Sequence, residues 1–100
     1  MTTHDTGLPV DAVSRELEIV NRKGLHARAT AKFVQCAEQF NVMVTVSRHG
    51  ETVGGTSIMG ILTLGAGIGT TILVAAAGPQ AEEALDAIAT LIANKFGEEE

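Results

Sequence analysis

An α+β fold is predicted by this sequence: one sheet with helices on one face, two layers in all, in the order β-α-β-β-α-β-α. Three observations predict it. The chain has 100 residues, which suits one domain with a single core. Its 45% apolar content comes largely from small aliphatics, with 14 Ala and 9 Val and no Trp or Tyr, as helices packed tightly on a sheet require. Its hydrophobic period switches repeatedly between 2 and 3.6 residues, with short turn signals between the segments.

Residues 1–14 mix Thr, Gly, Pro and Asp with little periodicity and read as a flexible tail. The domain is expected over 15–97, with 98–100 as an acidic, solubilising tail. Arg15 to Val20 alternates polar and apolar side chains, the period of a half-buried strand. Asn21 to Gly24 is polar and turn-rich. Ala27 to Phe40 then predicts a helix, with Phe33, Val34, Ala37 and Phe40 on one face and Asn41 as its stop. Val42 to Val46 is a β-rich run, and Arg48-His49-Gly50-Glu51 turns the chain into a weaker strand at Thr52-Val53. Ser57 to Leu64 reads as a short helix that Ser57 can cap and Gly65 can end. Thr71 to Ala75 is continuous in its apolar character, which predicts a central strand. Gly78-Pro79 opens the last helix with Pro at the first helical position and Glu82 and Glu83 in the first turns. Leu85, Ile88, Ile92 and Phe96 supply its buried stripe.

The net charge of −5 speaks against general nucleic-acid binding, which needs a cationic face. Its distribution says more. Ile19 to Ala37 holds Arg22, Lys23, Arg28 and Lys32 with no acid among them, whereas Glu82 to Glu100 holds six acids against Lys95. An anionic ligand or an acidic protein surface is therefore expected near residues 22–32. The lone Cys36 excludes an internal disulfide and a Cys-built zinc site and points to a reducing, cytoplasmic compartment. His4, His26 and His49 are too scattered for a metal-ligand run, so neither metal nor cofactor is expected. The first residues carry no targeting signal. Thr52 to Ala81 runs for 30 residues without a charge, but seven Gly and Pro79 break it into short pieces. It reads as a core segment covered on both sides, and no membrane span is expected.

Chemistry concentrates at Gly24-Leu25-His26-Ala27-Arg28. His26 stands where the loop ends and the helix begins. The free backbone N–H groups of the first turn, those of Ala27, Arg28 and Ala29, and the helix dipole make an anion site from backbone alone. Arg28 adds a planar fork suited to phosphate oxygens. A histidine in that setting can carry a phosphoryl group, because the donors are already in place. The same residues also fit a plain polar cap.

The string Gly24 to Arg28, followed by Ala31, Phe33 and Val34, resembles the active-site region of the HPr family, the histidine phosphocarriers of the phosphoenolpyruvate-dependent phosphotransferase system. Ser57-Ile58-Met59-Gly60-Ile61-Leu62-Thr63-Leu64-Gly65 resembles that family's second signature, a regulatory serine and a short helix. The distance of 31 residues from His26 to Ser57 also fits. The resemblance implies an open-faced two-layer sandwich, a four-stranded antiparallel sheet covered on one face by three helices. It implies that His26 accepts a phosphoryl group on Nδ1 from enzyme I and passes it to a histidine of an enzyme IIA, with Arg28 holding the phosphoryl oxygens. It also implies a second mark on Ser57 where an HPr kinase/phosphorylase exists, a monomer, and no cofactor. The family usually has proline directly after the arginine; here Ala29 stands there, which is expected to loosen the helix start modestly.

The segment from Gly78 to Leu85 and the acidic end resemble the nitrogen-related branch. Ile58, Met59 and Leu62, with Lys32, are the expected docking surface for partners, whereas Ile61 and Leu64 are expected in the core. Gly65-Ala66-Gly67-Ile68-Gly69 looks like a nucleotide-binding loop but lacks the strand before and the helix after, so it reads as a turn. Cys36 reads as a packing residue, and His4 and His49 as solvated. The rival reading is a regulatory module that docks according to phosphorylation at His26 or Ser57, with negligible phosphoryl flux.

Overall fold

The computed structural model describes residues 12–99, along which strands and helices alternate. The order is β1 (Val13–Glu18), α1 (Ala27–Ala37), β2 (Met43–Arg48), β3 (Glu51–Gly54), α2 (Ile58–Thr63), β4 (Thr71–Ala77) and α3 (Ala81–Ala93), ending in a short 3-10 turn at Lys95–Gly97. This is the expected βαββαβα order. The strands form one antiparallel sheet in the spatial order β1-β4-β2-β3, so β4, the most apolar strand, is interior. Leu17 lies opposite Ile72 and Val46 opposite Val74, which puts the helix-facing side chains of three strands in register.

The core lies between this sheet and the helices. Phe33 and Val34 of α1, Ile61 of α2, Leu85, Ile88 and Ile92 of α3, and Phe96 meet Ile19, Val46, Ile72 and Val74. Phe33 and Phe96 are among the largest fully buried side chains. Each stabilises the fold by about 1.5–3 kcal/mol through the apolar surface it removes from water. The β2–β3 hairpin turns on His49 and Gly50, both left-handed at φ 51° and 81°, the pairing that matches strand twist.

Several element boundaries differ from the sequence expectation, each for a local reason. β1 starts at Val13 instead of Arg15, because β4 runs on to Ala77 and offers Ala76 and Ala75 as partners for Val13 and Ser14. Those two residues therefore belong to the sheet; the rest of the expected 1–14 tail, His4 included, lies outside the described residues apart from Ala12. α1 stops at Ala37 and not Phe40, since Gln39 and Phe40 donate to carbonyls only three residues back, at 3.2 and 3.3 Å. Pro79 precedes α3 instead of opening it: Ala81 is the first helical residue, and the Ala81 N–H closes a turn onto the Gly78 carbonyl. The charge-free segment is not covered on both sides. All three helices lie on one face of β4, and on the other face Leu73 is 38% exposed.

Among the described residues, no helix is long and apolar enough to cross a membrane.

Candidate functional site

Gly24 decides the approach to α1. Its φ of +67° is left-handed, and a Cβ there would meet the Ala66 carbonyl oxygen at 2.6 Å, so only glycine fits. The Leu25 N–H then bonds that same oxygen at 2.9 Å, pinning the loop to the segment that follows α2. This delivers His26 as the N-cap residue of α1, extended at φ −75° and ψ 179°, with its carbonyl accepting the Thr30 N–H at 2.8 Å.

The His26 side chain makes no capping bond. The N–H groups of Ala27, Arg28 and Ala29 therefore have no partner from the cap and none within the helix, and they stand at the positive end of the dipole. Ala29 contributes the third of these donors, which a proline at that position would lack. Its side chain is fully buried, as is Thr30 beside it, so tertiary packing and not a cap secures the helix start.

Arg22, Lys23, Arg28 and Lys32 line one open cleft with His26 and Ala27, closed on its far side by Gly97, Glu98 and Glu99. Arg28 and Lys32 sit four residues apart on the same helix face. The expected cationic end of the chain is thus gathered around one ring. Arg28 and Lys23 make no ion pair among the described residues, whereas Lys32 Nζ donates to the Phe96 carbonyl at 2.6 Å.

The acid in this cleft is the departure from the sequence reading. Glu98, expected as part of a solubilising tail, turns back and pairs with His26 Nε2 through Oε2. Its other oxygen accepts Asn21 Nδ2 at 3.0 Å. Asn21 is fully buried and also bonds the Gly24 carbonyl at 2.8 Å, so it braces the loop and the carboxylate together. The Glu98 carboxyl is held below its usual range, chiefly by the hydrogen bond to His26; burial opposes this, and Asn21 and Lys23 reinforce it. Sequence reasoning missed both residues. Phe96 belonging to the buried stripe of α3, followed at once by Gly97, was the signal that the chain doubles back there.

The second signature folds separately. Ser57 is the exposed N-cap of α2, its Oγ accepting the Gly60 N–H at 3.0 Å. Ile58 and Met59 are exposed, at 42% and 71%, and Leu62 is half-buried, whereas Ile61 and Leu64 are buried. None of these lines the His26 cleft. Cys36 is half-buried on α1, where burial pushes its thiol pKa up, and His49 is exposed in its turn. Among the described residues, no group of three or more His, Cys, Asp or Glu could hold a metal ion.

Residues 13–94 match the family described as PTS HPr component phosphorylation site. The chain belongs to the HPr family of phosphocarriers. Phosphocarrier protein HPr of Cupriavidus necator is 49% identical over 88 residues, covering 88% of this chain and 99% of its own. The HPr of Pseudomonas aeruginosa is 46% identical, covering 85% and 96%. A phosphocarrier protein NPr from Shewanella violacea is 37% identical, covering 86% and 94%. The crystal structure of HPr-C-His from Thermoanaerobacter tengcongensis superposes with a TM-score of 0.84 at 42% identity, over 88% of this chain and 99% of that one. The HPr fold, a four-stranded antiparallel sheet with three helices, is the one described above. As a member of that family, the chain is a phosphocarrier of the phosphotransferase system.

Proposed function

We propose that His26 is the phosphoryl acceptor, taking the group on Nδ1 from phospho-enzyme I and passing it to a histidine of an enzyme IIA. The observation that carries this reading is an uncapped helix start with three free N–H donors beside a histidine whose Nε2 is already engaged, inside a cleft of four cations. Nδ1 is the nitrogen left to react. Arg28 receives the phosphoryl oxygens with its planar fork, and the donors of Ala27, Arg28 and Ala29 hold the rest of the charge. The partners supply the remaining catalysis, and this chain supplies position and charge.

Ile58, Met59 and Leu62 form the apolar docking surface on α2, with Lys32 at the cleft rim; the exposure of Ile58 and Met59 supports this role. Ser57 is a second, regulatory phosphorylation site for an HPr kinase/phosphorylase; its exposed hydroxyl supports that role. The carrier acts as a cytoplasmic monomer. Its acceptor belongs to a nitrogen-related regulatory system. The NPr relative supports that branch, and transfer to a nitrogen-type IIA against transfer to a sugar-type IIA tests it. The rival, a docking module without flux, predicts phosphate on His26 that hydrolyses before it moves to any IIA.

The test is intact mass after mixing with enzyme I and phosphoenolpyruvate. A gain of one phosphoryl group, removed by brief acid, is expected for the wild type and none for His26→Ala. A labelled His26→Ala protein contradicts the assignment.

A further inference from the structure

Glu98 lies beyond the residues matched to the family, yet its carboxylate reaches the reacting ring. The chain reaches it at some cost: Lys95 and Phe96 are left-handed at φ 59° and 57°, ahead of Gly97 at 80°. Tertiary contacts and one local bond hold this turn. The Phe96 side chain is buried, its carbonyl accepts Lys32 Nζ, and the Glu98 N–H donates to the Lys95 carbonyl at 2.9 Å. Asn21 then fixes the carboxylate from the opposite side.

We propose that Glu98 is a positioning residue for phosphoryl transfer: its carboxylate accepts the Nε2–H of His26, which leaves the ring lone pair on Nδ1. This inference rests on the reading of His26 as the phosphoryl acceptor. A ring nitrogen's reactivity is set by the bond its other nitrogen makes. With Nε2 as the donor, the Nδ1 lone pair attacks the phosphorus while the N–P bond of the donor phosphohistidine breaks and its electron pair returns to the donor ring. The Nε2 proton stays on His26, and the positive charge the ring acquires is met by the Glu98 carboxylate. A carboxylate bonded at Nε2 leaves the Nδ1 edge open, so it orients the ring and does not occupy the place of the incoming group. The other charges facing Glu98 are cationic or at the rim: Lys23, with Arg22, Arg28 and Lys32, and Glu99 beside it.

The experiment combines nitrogen-15 spectra of the His26 ring with steady-state phosphorylation by enzyme I, for wild type, Glu98→Ala and Glu98→Gln. The wild-type ring is expected as the single Nε2–H tautomer. Glu98→Ala is expected to mix the tautomers and lower kcat roughly tenfold while KM for the carrier stays within about twofold, the size typical of losing an orienting partner. Glu98→Gln, whose amide oxygen still accepts the bond, is expected to restore the tautomer and part of kcat. A Glu98→Ala protein with wild-type kcat, or with a faster one, overturns the inference, as does an unchanged tautomer. A wild type that takes no phosphate overturns the reading of His26 itself, whereas a labelled wild type with an indifferent Glu98→Ala overturns this inference alone.

Discussion

At the start of α2 the Ser57 hydroxyl turns back on its own helix and accepts the Gly60 N–H; at the start of α1 the His26 ring makes no such bond and faces Glu98. The two residues hold the same N-cap position, and the difference follows from how each helix is held. α2 has six residues, too few to persist unaided, and only Ile61 of it is buried, so a cap matters. α1 has eleven, with Ala29, Thr30, Phe33, Val34 and Ala37 buried along one face. That packing holds the helix without a cap, so its first-turn donors are left for an outside anion. Under the proposed function, a structural helix start and a functional one differ in which donors the protein satisfies for itself.

Three changes sharpen or break this contrast beyond the His26 and Glu98 variants. The largest effect is expected for Arg28→Ala. Losing a charge-assisted bond of about 1.5–3 kcal/mol slows phosphorylation by enzyme I roughly 10- to 100-fold, while the melting temperature stays put because the side chain is exposed. Stopped-flow quench kinetics and calorimetry check the two halves, and an unaltered rate would remove Arg28 from the site. Next comes Ser57→Ala, which deletes a cap worth about 1 kcal/mol and should lower the melting temperature by about 4–8 °C. Phosphate uptake on His26 should not change; if it falls in step with stability, the two helix starts are not independent. The smallest effect is on pH. Because the folded Glu98 carboxyl titrates below its ordinary range, its contribution is complete above that range and is lost as pH falls through the depressed value. A carbon-13 titration of the Glu98 side chain should give a midpoint below the ordinary glutamate range, and a midpoint within that range would show that Glu98 is not docked.

Much of this was legible in the chain. The alternation at Leu17 and Ile19, the face of Phe33, Val34 and Ala37, the cap at Ser57 and the stripe through Ile92 are local signals, and local physics decides them. The two signatures around His26 and Ser57 identified the family. What was not legible depends on partners distant in sequence. The extension of β1 to Val13 needs Ala75 and Ala76 across the sheet, and β4 reads as buried on both sides because Leu73, exposed on the face away from the helices, is as apolar as the buried Ala75 and Ala77 beside it. The place of Pro79 depends on how the chain leaves β4, where the Gln80 side chain accepts the Asn41 N–H at 2.7 Å. Glu98 was hidden most thoroughly, since a run of three glutamates looks solvated until a left-handed turn carries its first member 72 residues back to His26.

The central claim is that the phosphoryl group goes to the uncapped helix start, on Nδ1 of His26. Long-range proton–nitrogen-15 correlation spectra of the protein phosphorylated by enzyme I, recorded at alkaline pH where phosphohistidine survives, test it most directly. A phosphorus coupling to Nδ1 of His26, with Nε2 still carrying its proton, is the predicted result. Phosphate on Nε2, on His49 or on Ser57 would contradict it.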